Sequence, residues 1–485
     1  MYDIAIIGCG IVGAAAAYEL SKYKLKIAVL EKENDVAVAT TKANSAIIHA
    51  GYDPKPGTLM AKLNVEGAIL AKEICEVLDI PYKQCGALVL AFSSKETIVL
   101  ENLLQAGKTN GVPGLCILDK AQVIDLEPNL SSDVIAALYA PSAAIISPWE
   151  YGLALIETAV KNQVELYREC EVIDIKKTDN SYTIQTCQGQ VQTRYIINAA
   201  GLYADKINNM ANPITFEIQP DRGEYFLLDK SEGKQVRHII FQCPSELGKG
   251  VLVAPTVHGN LIVGPSSVEV EDSKDVSNTS IGLGFVREFA TKSVPGINFR
   301  ANIRNFAGNR AKTKAGDFVI EETQSGFINL AGISSPGLSA APAIAKMAVE
   351  LLSESGLALQ EKENYINERK LTRFNELSPS EKAELISNDP SYATVICRCQ
   401  TVTEGEIRDA LNSPIPPRSL DGVKRRTGAG MGRCQSGFCG PRVVELLAAH
   451  YNCSPTEILQ DEANTHILVA GTKETENCGG CFHDK

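Results

Sequence analysis

Six residues near the start of the chain, Gly8-Cys-Gly-Ile-Val-Gly13, constrain the fold more than any other stretch. Asp3-Ile-Ala-Ile-Ile7 before them reads as a buried strand, and residues 12–22 after them read as a helix that opens on the small residues Ala14 to Ala17. Lys26-Ile-Ala-Val-Leu30 reads as the next strand and ends on Glu31. A G-x-G-x-x-G pattern alone is weak; between a strand and a helix, with an acid closing the next strand, it is a dinucleotide-binding βαβ unit. Gly8 permits the sharp turn, Gly10 the approach of backbone to a pyrophosphate, and Gly13 close packing of helix on sheet. The helix start offers unpaired N–H groups and a positive dipole end to phosphate, and Glu31 can accept from ribose hydroxyls. The pattern suits FAD and NAD equally.

Strands of the same kind recur at Arg194-Tyr-Ile-Ile-Asn198 and Phe327-Ile-Asn-Leu-Ala331. Between them, Gly86 to Phe92, Glu224 to Leu228, Gly250 to Pro255 and Asn260 to Val263 alternate apolar and polar residues and are punctuated by Gly and Pro, as antiparallel strands are. The expected fold class is α/β: a Rossmann-like nucleotide-binding domain (about 1–80, 145–212 and 315–357) with an inserted antiparallel β-sheet substrate domain (about 81–144 and 213–314). Residues 340–357 read as a long helix, 358–390 as a charged boundary region, 391–455 as a small α-helical C-terminal domain and 456–485 as a tail. At 485 residues, two or three domains are expected.

The net charge of −11 argues against a nucleic-acid partner, because phosphate neutralisation needs a basic surface. The N-terminus has neither the basic region nor the cleavage site of a secretory signal, and no run of about 18 apolar residues spans a membrane. A cytoplasmic location is expected, peripheral to a membrane through a partner.

Of fourteen cysteines, seven are scattered before residue 390 and seven lie in the last 95 residues. Scattered cysteines are usually small buried hydrophobes, whereas clustered ones suggest a metal site. Cys397 and Cys399, then Cys434 and Cys439, give C-x-C-x34-C-x4-C. Four thiolates can hold a [2Fe-2S] cluster or Zn²⁺, but the C-x-C pair is atypical of zinc. Gly428, Gly430 and Gly432 would let backbone N–H groups approach sulphur, and Lys424, Arg425, Arg426 and Arg433 would offset the cluster's negative charge. Cys397-Arg-Cys-Gln-Thr-Val-Thr-Glu-Gly-Glu-Ile407 and Lys424-Arg-Arg-Thr-Gly-Ala-Gly-Met-Gly-Arg-Cys434 resemble the bacterioferritin-associated-ferredoxin-like [2Fe-2S] domain, as carried by the large subunit of anaerobic glycerol-3-phosphate dehydrogenases. Near the end, Cys478-Gly-Gly-Cys481 followed by His483 reads as a redox pair, a chelator or an electron-transfer contact, or simply as two reduced thiols on a tail.

Thr40-Thr-Lys-Ala-Asn-Ser45 follows the second strand, and Ala331-Gly-Ile-Ser-Ser-Pro-Gly-Leu-Ser-Ala340 runs into the long late helix. A second helix start there can face a flavin ring and favour its reduced, more negative state. With the N-terminal fingerprint, these segments resemble the D-amino-acid-oxidase-type family of FAD oxidoreductases, which includes glycerol-3-phosphate and L-2-hydroxyglutarate dehydrogenases. The resemblance covers roughly residues 1–350. It implies FAD held by Gly8, Gly10, Gly13, Glu31, Thr40, Thr41, Asn44, Ser45, Val172, Gly201, Gly332, Pro336, Gly337, Leu338 and Ser339.

In that family the loop carrying His49 runs beside the flavin. An imidazole there can take a hydroxyl proton while hydride leaves the same carbon, its pKa being near neutrality; the alternative is a histidine that only positions. His238 reads as core and His258 as a hairpin residue. An anionic substrate calls for arginine, of which Arg222, Arg304 and Arg310 are in reach of the sheet; Arg310 is preferred, with Tyr225 as a further substrate contact. Tyr52-Asp53 stands where glycerol-3-phosphate dehydrogenases carry an arginine, with Lys55 as a substitute. The implied reaction is hydride transfer to FAD from sn-glycerol 3-phosphate, giving dihydroxyacetone phosphate, with electrons relayed through [2Fe-2S] to an electron-acceptor protein subunit or quinone-linked acceptor. The alternatives are a 2-hydroxy-acid dehydrogenase such as the L-2-hydroxyglutarate type, and a non-catalytic electron-transfer or redox-sensing flavoprotein.

Overall fold

The computed structural model describes residues 1–244 and 250–472. They fall into two compact units: residues 1–32 with 36–371, and residues 33–35 with the described residues from 372 on. The Cys478/Cys481/His483 segment lies outside the described residues.

In the first unit, Tyr2–Ile7 forms a strand whose last four residues are buried, as a strand covered on both faces must be. It pairs in parallel with Ile27–Leu30 on one side and with Gly189–Asn198 on the other. Phe327–Ala331 and Glu165–Tyr167 extend this parallel core at its two edges. Helices Ile11–Leu20, Pro148–Lys161 and Gly337–Glu354 belong to the same unit. Every residue of Ile11–Leu20 except Glu19 is buried, and its run of alanines allows that density without bulky side chains.

A second, nine-stranded sheet draws on both insertions: Ala87–Ala91, Cys116–Asp119 and Ala136–Ala140 from the first, and strands from Gln219–Leu228 to Asn302–Lys312 from the second. The expected sheet is present with one departure. Ala87–Ala91 and Ile239–Gln242 pair in parallel where the two insertions meet. Parallel neighbours need a long crossover, and the nucleotide-binding segments between the insertions supply it. A small three-stranded sheet joins Ile47–Ile48, Tyr82–Gln84 and Ala144–Ile146. His49 follows directly on its first strand.

In the second unit, the hairpin Val395–Cys397/Val402–Thr403 and helices Glu404–Leu411, Leu420–Thr427 and Gly440–Tyr451 close on a core of Ile407, Val423, Val443 and Leu447, with Cys397 and Cys439 buried among them.

Candidate active site and iron–sulphur site

The fingerprint residues form a tight cradle. Gly8 has φ +95, and a Cβ there would lie 2.6 Å from the Ala199 carbonyl oxygen. A Cβ on Gly13 would lie 2.0 Å from the Gly8 oxygen, so the turn and the helix interlock at a distance only hydrogen can occupy. Gly10 is the N-cap of Ile11–Leu20 and offers no capping oxygen, and the first turn carries no acid. The helix thus keeps its positive end for an anion. Thr41 Oγ1 accepts from Ile11 N at 3.0 Å, and Thr40 Oγ1 donates to Asn309 O at 2.6 Å, tying the 40–45 loop to both the helix start and the second sheet. Glu31 is buried and accepts from Cys9 N at 2.7 Å, which holds its carboxylate at the glycine turn. Cys170 N donates to Glu31 O, bringing the start of the strand Val172–Lys177 alongside. Gly201, at φ +55, has open space where a Cβ would point. These residues fit an FAD adenosine diphosphate.

Two expected FAD contacts make other bonds with their side chains. Asn44 Nδ2 donates to Thr40 O and Thr41 O while its Oδ1 accepts from Ala46 N, so this side chain staples its own loop. Ser339 is fully buried, and its hydroxyl accepts from His49 N at 2.8 Å. Both positions shape the site through the backbone they hold. Gly332 (φ +63) makes the turn that leads through Pro336, the N-cap, into Gly337 and Leu338 at the start of the long helix.

The His49 loop packs on the second sheet. Ile47, Ala50 and Tyr52 share one apolar cluster with Val89, Leu138, Tyr225, Leu252, Ala254 and Ile262, and Phe241 and Phe306 pack against it. The Tyr225 hydroxyl lies 3.1 Å from Ser45 Oγ, and its ring stacks on Phe306 at 4.7 Å. The His49 ring lies 5.9 Å from the Phe241 ring, and its Nε2 is 3.4 Å from Ser335 Oγ. Phe241, Phe306 and Ser335 were not legible as site residues, because no local pattern links them to His49.

Strand parity sorts the arginines. Asp221, Gly223 and Tyr225 lie opposite Arg310, Gly308 and Phe306, so all six share one face. Arg222 lies on the other face, bonded to Asp275 and to Ser277 Oγ at 2.8 Å, which removes it from the substrate candidates. Alternation within Asp221 to Tyr225 carried that signal. Arg310 is bonded to Asp221, and Lys312 Nζ reaches the same carboxylate at 2.7 Å. Two cations on one carboxylate leave net positive charge beside Gly223, where a Cβ would stand 2.5 Å from the Arg310 guanidinium. That is one same-face position from Tyr225, about 7 Å along a strand. Arg304 is exposed farther along the same strand. Tyr52 is buried against Gly107, and Lys55 is exposed. His238 bonds Glu127 at 2.7 Å and serves structure, while His258 sits on a hairpin and stacks on Trp149 at 5.6 Å.

Burial alone would raise the Asp221 carboxyl, but Arg310 and Lys312, with the Ser267 hydroxyl, outweigh it and hold it below the ordinary range. A depressed carboxyl contributes stability above its unfolded pKa and loses it as pH falls through the folded value. Asp221→Asn is therefore expected to lower Tm at neutral pH by several degrees, with the gap to the parent closing below about pH 4. A gap of constant size across that range, in thermal melts, would refute the ion cluster's role.

In the second unit, Cys397 Sγ is 3.8 Å from Cys399 Sγ, and Cys399 Sγ is 3.9 Å from Cys434 Sγ. Cys397 also bonds Cys439, the N-cap of Gly440–Tyr451. No three described His, Cys, Asp or Glu side chains group around a point as ligands of a single ion; the contacts run as one chain from Cys439 through Cys397 and Cys399 to Cys434. The Cys439 contact and backbone N–H groups of Gly430 and Gln400 outweigh burial and bring the Cys397 thiol down to about 5, whereas burial and its anionic neighbour push Cys399 up to about 11. Backbone donors aimed at sulphur suit an anionic thiolate-held cluster. The basic run corrects an expectation. Arg425 is bonded to Asp35 and Asp461, Arg426 to Asp35, and Lys424 to Asp421, so their charges are matched by carboxylates.

Comparison with known proteins fits both units. Residues 3–351 match the family described as FAD dependent oxidoreductase, and residues 395–449 match the BFD-like [2Fe-2S] binding domain. Over 476 residues, 98% of this chain and 99% of the relative, the sequence is 50% identical to a glycerol 3-phosphate dehydrogenase of Caloramator mitchellensis. The L-alpha-glycerophosphate oxidase of Mycoplasma pneumoniae, solved with FAD bound, is 33% identical with a TM-score of 0.73, covering 76% of this chain and 99% of its own. An L-2-hydroxyglutarate dehydrogenase of Nematostella vectensis is 32% identical over 289 residues, 55% of this chain and 62% of the relative.

Proposed function

Because this chain belongs to the FAD dependent oxidoreductase family and carries a BFD-like [2Fe-2S] binding domain, we propose that it is a dehydrogenase that oxidises the secondary hydroxyl of sn-glycerol 3-phosphate to the ketone of dihydroxyacetone phosphate and delivers the electrons to a partner protein. The end-to-end similarity to the Caloramator dehydrogenase, iron–sulphur domain included, is the observation that carries this reading. When bound, FAD supplies a two-electron acceptor for the C–H bond and the [2Fe-2S] cluster supplies a one-electron carrier.

The chain's own residues do the rest. His49 takes the hydroxyl proton. Tyr225, steadied by Ser45 and Phe306, orients the substrate against the loop. Arg310 and Lys312 attract the phosphate, since together they exceed the charge of Asp221. Phe241 and Leu252 belong to the apolar packing of this face and help to keep water from the reacting carbon. Cys397, Cys399, Cys434 and Cys439 hold the cluster. A one-electron relay has little use in an enzyme that hands electron pairs to oxygen, which supports a protein acceptor, itself quinone-linked, that brings the chain to a membrane surface. No helix among the described residues is long and apolar enough to cross a membrane.

The test is anaerobic reduction of the flavin by a panel of alcohols and hydroxy acids. sn-Glycerol 3-phosphate is expected to bleach it fastest, by at least about tenfold over L-2-hydroxyglutarate, which corresponds to about 1.4 kcal/mol of discrimination. Preferential bleaching by L-2-hydroxyglutarate would transfer the reading to the 2-hydroxy-acid branch, for which the buried Tyr52 in place of an arginine is the supporting observation. No bleaching by any member would favour a non-catalytic flavoprotein.

A further inference from the structure

The four cysteines of the second unit are unequally covered. Cys397 and Cys439 are buried in its core, Cys434 is half-buried and Cys399 is exposed. A cluster held by all four therefore has an inner and an outer edge. Electron transfer between proteins falls off steeply with distance, so a carrier must come to the outer edge, and the surface around it decides which carrier is served.

Phe438, the residue before Cys439, is 85% exposed, and Val395, two residues before Cys397, is 42% exposed. A single exposed apolar residue is ordinary, but Phe438 stands on a braced loop between two of the cysteines. Gln435 and Ser436 lie in the left-handed region at φ 45 and φ 72, a conformation costly to non-glycine residues that persists only where the surroundings enforce it. Gln435 N donates to Gly432 O at 2.9 Å, Gly437 N to Cys434 O at 3.0 Å and Gly440 N to Ser436 O at 2.8 Å. Gly430 passes so close that a Cβ on it would lie 2.2 Å from Ser436 Oγ. The loop's shape is thus set before anything binds, which lowers the entropy cost of docking. Arg398, exposed between Cys397 and Cys399, makes no ion pair among the described residues. Arg442, on the helix after Cys439, is matched by Glu404 and Glu445. Because Cys397 bonds Cys439, Arg398 and Phe438 each stand one residue from the same sulphur pair. That places them within roughly 20 Å of each other, inside the span of one interface.

On the reading of this chain as a dehydrogenase with a protein acceptor, we propose that this surface is where an acidic one-electron carrier protein docks, with Phe438 as the apolar anchor and Arg398 as the charged contact. Aromatic and arginine side chains are the usual centres of binding energy at interfaces. The sign of the partner follows from Arg398. The chain as a whole carries a net charge of −11, which repels an acidic protein; an exposed guanidinium beside the ligand cysteines gives its carboxylates a bidentate partner at the one edge where electrons leave. Oxidation of one substrate hydroxyl to a ketone releases two electrons and two protons. The electrons pass to two carrier molecules, one to each, and the protons go to solvent.

Calorimetric titration of the complete oxidised holoenzyme with two oxidised probes tests this: plastocyanin, an acidic copper carrier, and cytochrome c, a basic haem carrier. No substrate is present, so docking is read apart from turnover. Plastocyanin is expected to bind the parent at least about tenfold more tightly than cytochrome c. Phe438→Ala should weaken plastocyanin about tenfold, and Arg398→Glu should weaken it by a similar factor while tightening cytochrome c. Arg398→Gln, which places no negative charge beside the ligands, covers the case in which Arg398→Glu loses iron, and should weaken plastocyanin several-fold. Phe438→Tyr and Arg398→Lys should stay within about threefold of the parent, with parental iron and flavin content. If either Phe438→Ala or Arg398→Gln kept the parental affinity, the role given to that residue would fall; if both did, the surface would. Plastocyanin binding no tighter than that of cytochrome c, absence of binding included, would overturn the acidic partner. Docking as expected beside a flavin that no substrate bleaches would overturn the dehydrogenase reading and leave the surface standing.

Discussion

Replacing His49 with asparagine is expected to leave FAD bound and to slow substrate-driven flavin reduction about 10²–10⁴-fold, the usual contribution of a positioned general base. Asparagine keeps the backbone bonds to Ser339 and Asn64 that hold the loop. It also keeps a polar side chain of moderate size beside Phe241, but it has no basic lone pair near neutral pH. A lost rate with a retained flavin spectrum therefore isolates proton transfer from folding and cofactor binding. Single-turnover absorbance under anaerobic conditions reads both quantities in one sample. If the rate stayed parental, the proton would have to leave by another route, and the loop's role would shrink to positioning.

Replacing Gly13 with valine should give protein that is purified without flavin absorbance and melts far below the parent. The first added carbon would lie 2.0 Å from the Gly8 carbonyl oxygen and 3.4 Å from Ala199 Cβ. The obstacle at 2.0 Å is backbone, so no side-chain rotation relieves it. The helix Ile11–Leu20 would have to lift off the sheet, with its almost wholly buried residues. The N–H groups at its start would move with it, away from the position a pyrophosphate needs. Loss of buried packing on this scale belongs with the largest single-residue effects, above about 4 kcal/mol. Flavin-to-protein ratio and a thermal melt check it; a yellow, parentally stable variant would mean that the cradle tolerates separation from the sheet.

Features whose physics is local were the most legible. The glycine fingerprint states its own requirement, because what each glycine must do is set by a turn of a few residues. The second sheet was visible as alternation, yet the meeting of its two halves at a parallel seam was not, since that pairing joins Ala87–Ala91 to Ile239–Gln242 across the nucleotide-binding segments. Arg222 and Arg310 looked equivalent as arginines near a sheet. Only the register with Asn302–Lys312 put them on opposite faces and gave Arg310 the partner Asp221. The basic run at Lys424 to Arg426 pointed towards an anionic cluster, but composition cannot show that Asp35, Asp461 and Asp421 take up those charges.

From the order of its residues alone, this chain declared a dinucleotide cradle at its start and a four-thiolate group near its end. Both are written in short-range spacing: glycines where backbone must approach backbone, and cysteines whose intervals suit a cluster. Tertiary structure decided what surrounds His49. Ser335 lies 286 residues from it in sequence and Phe241 nearly 200. Hydrogen bonding and ring packing act over a few ångströms of space whatever the separation along the chain, so only the folded sheet and the late helix could bring these groups to the imidazole.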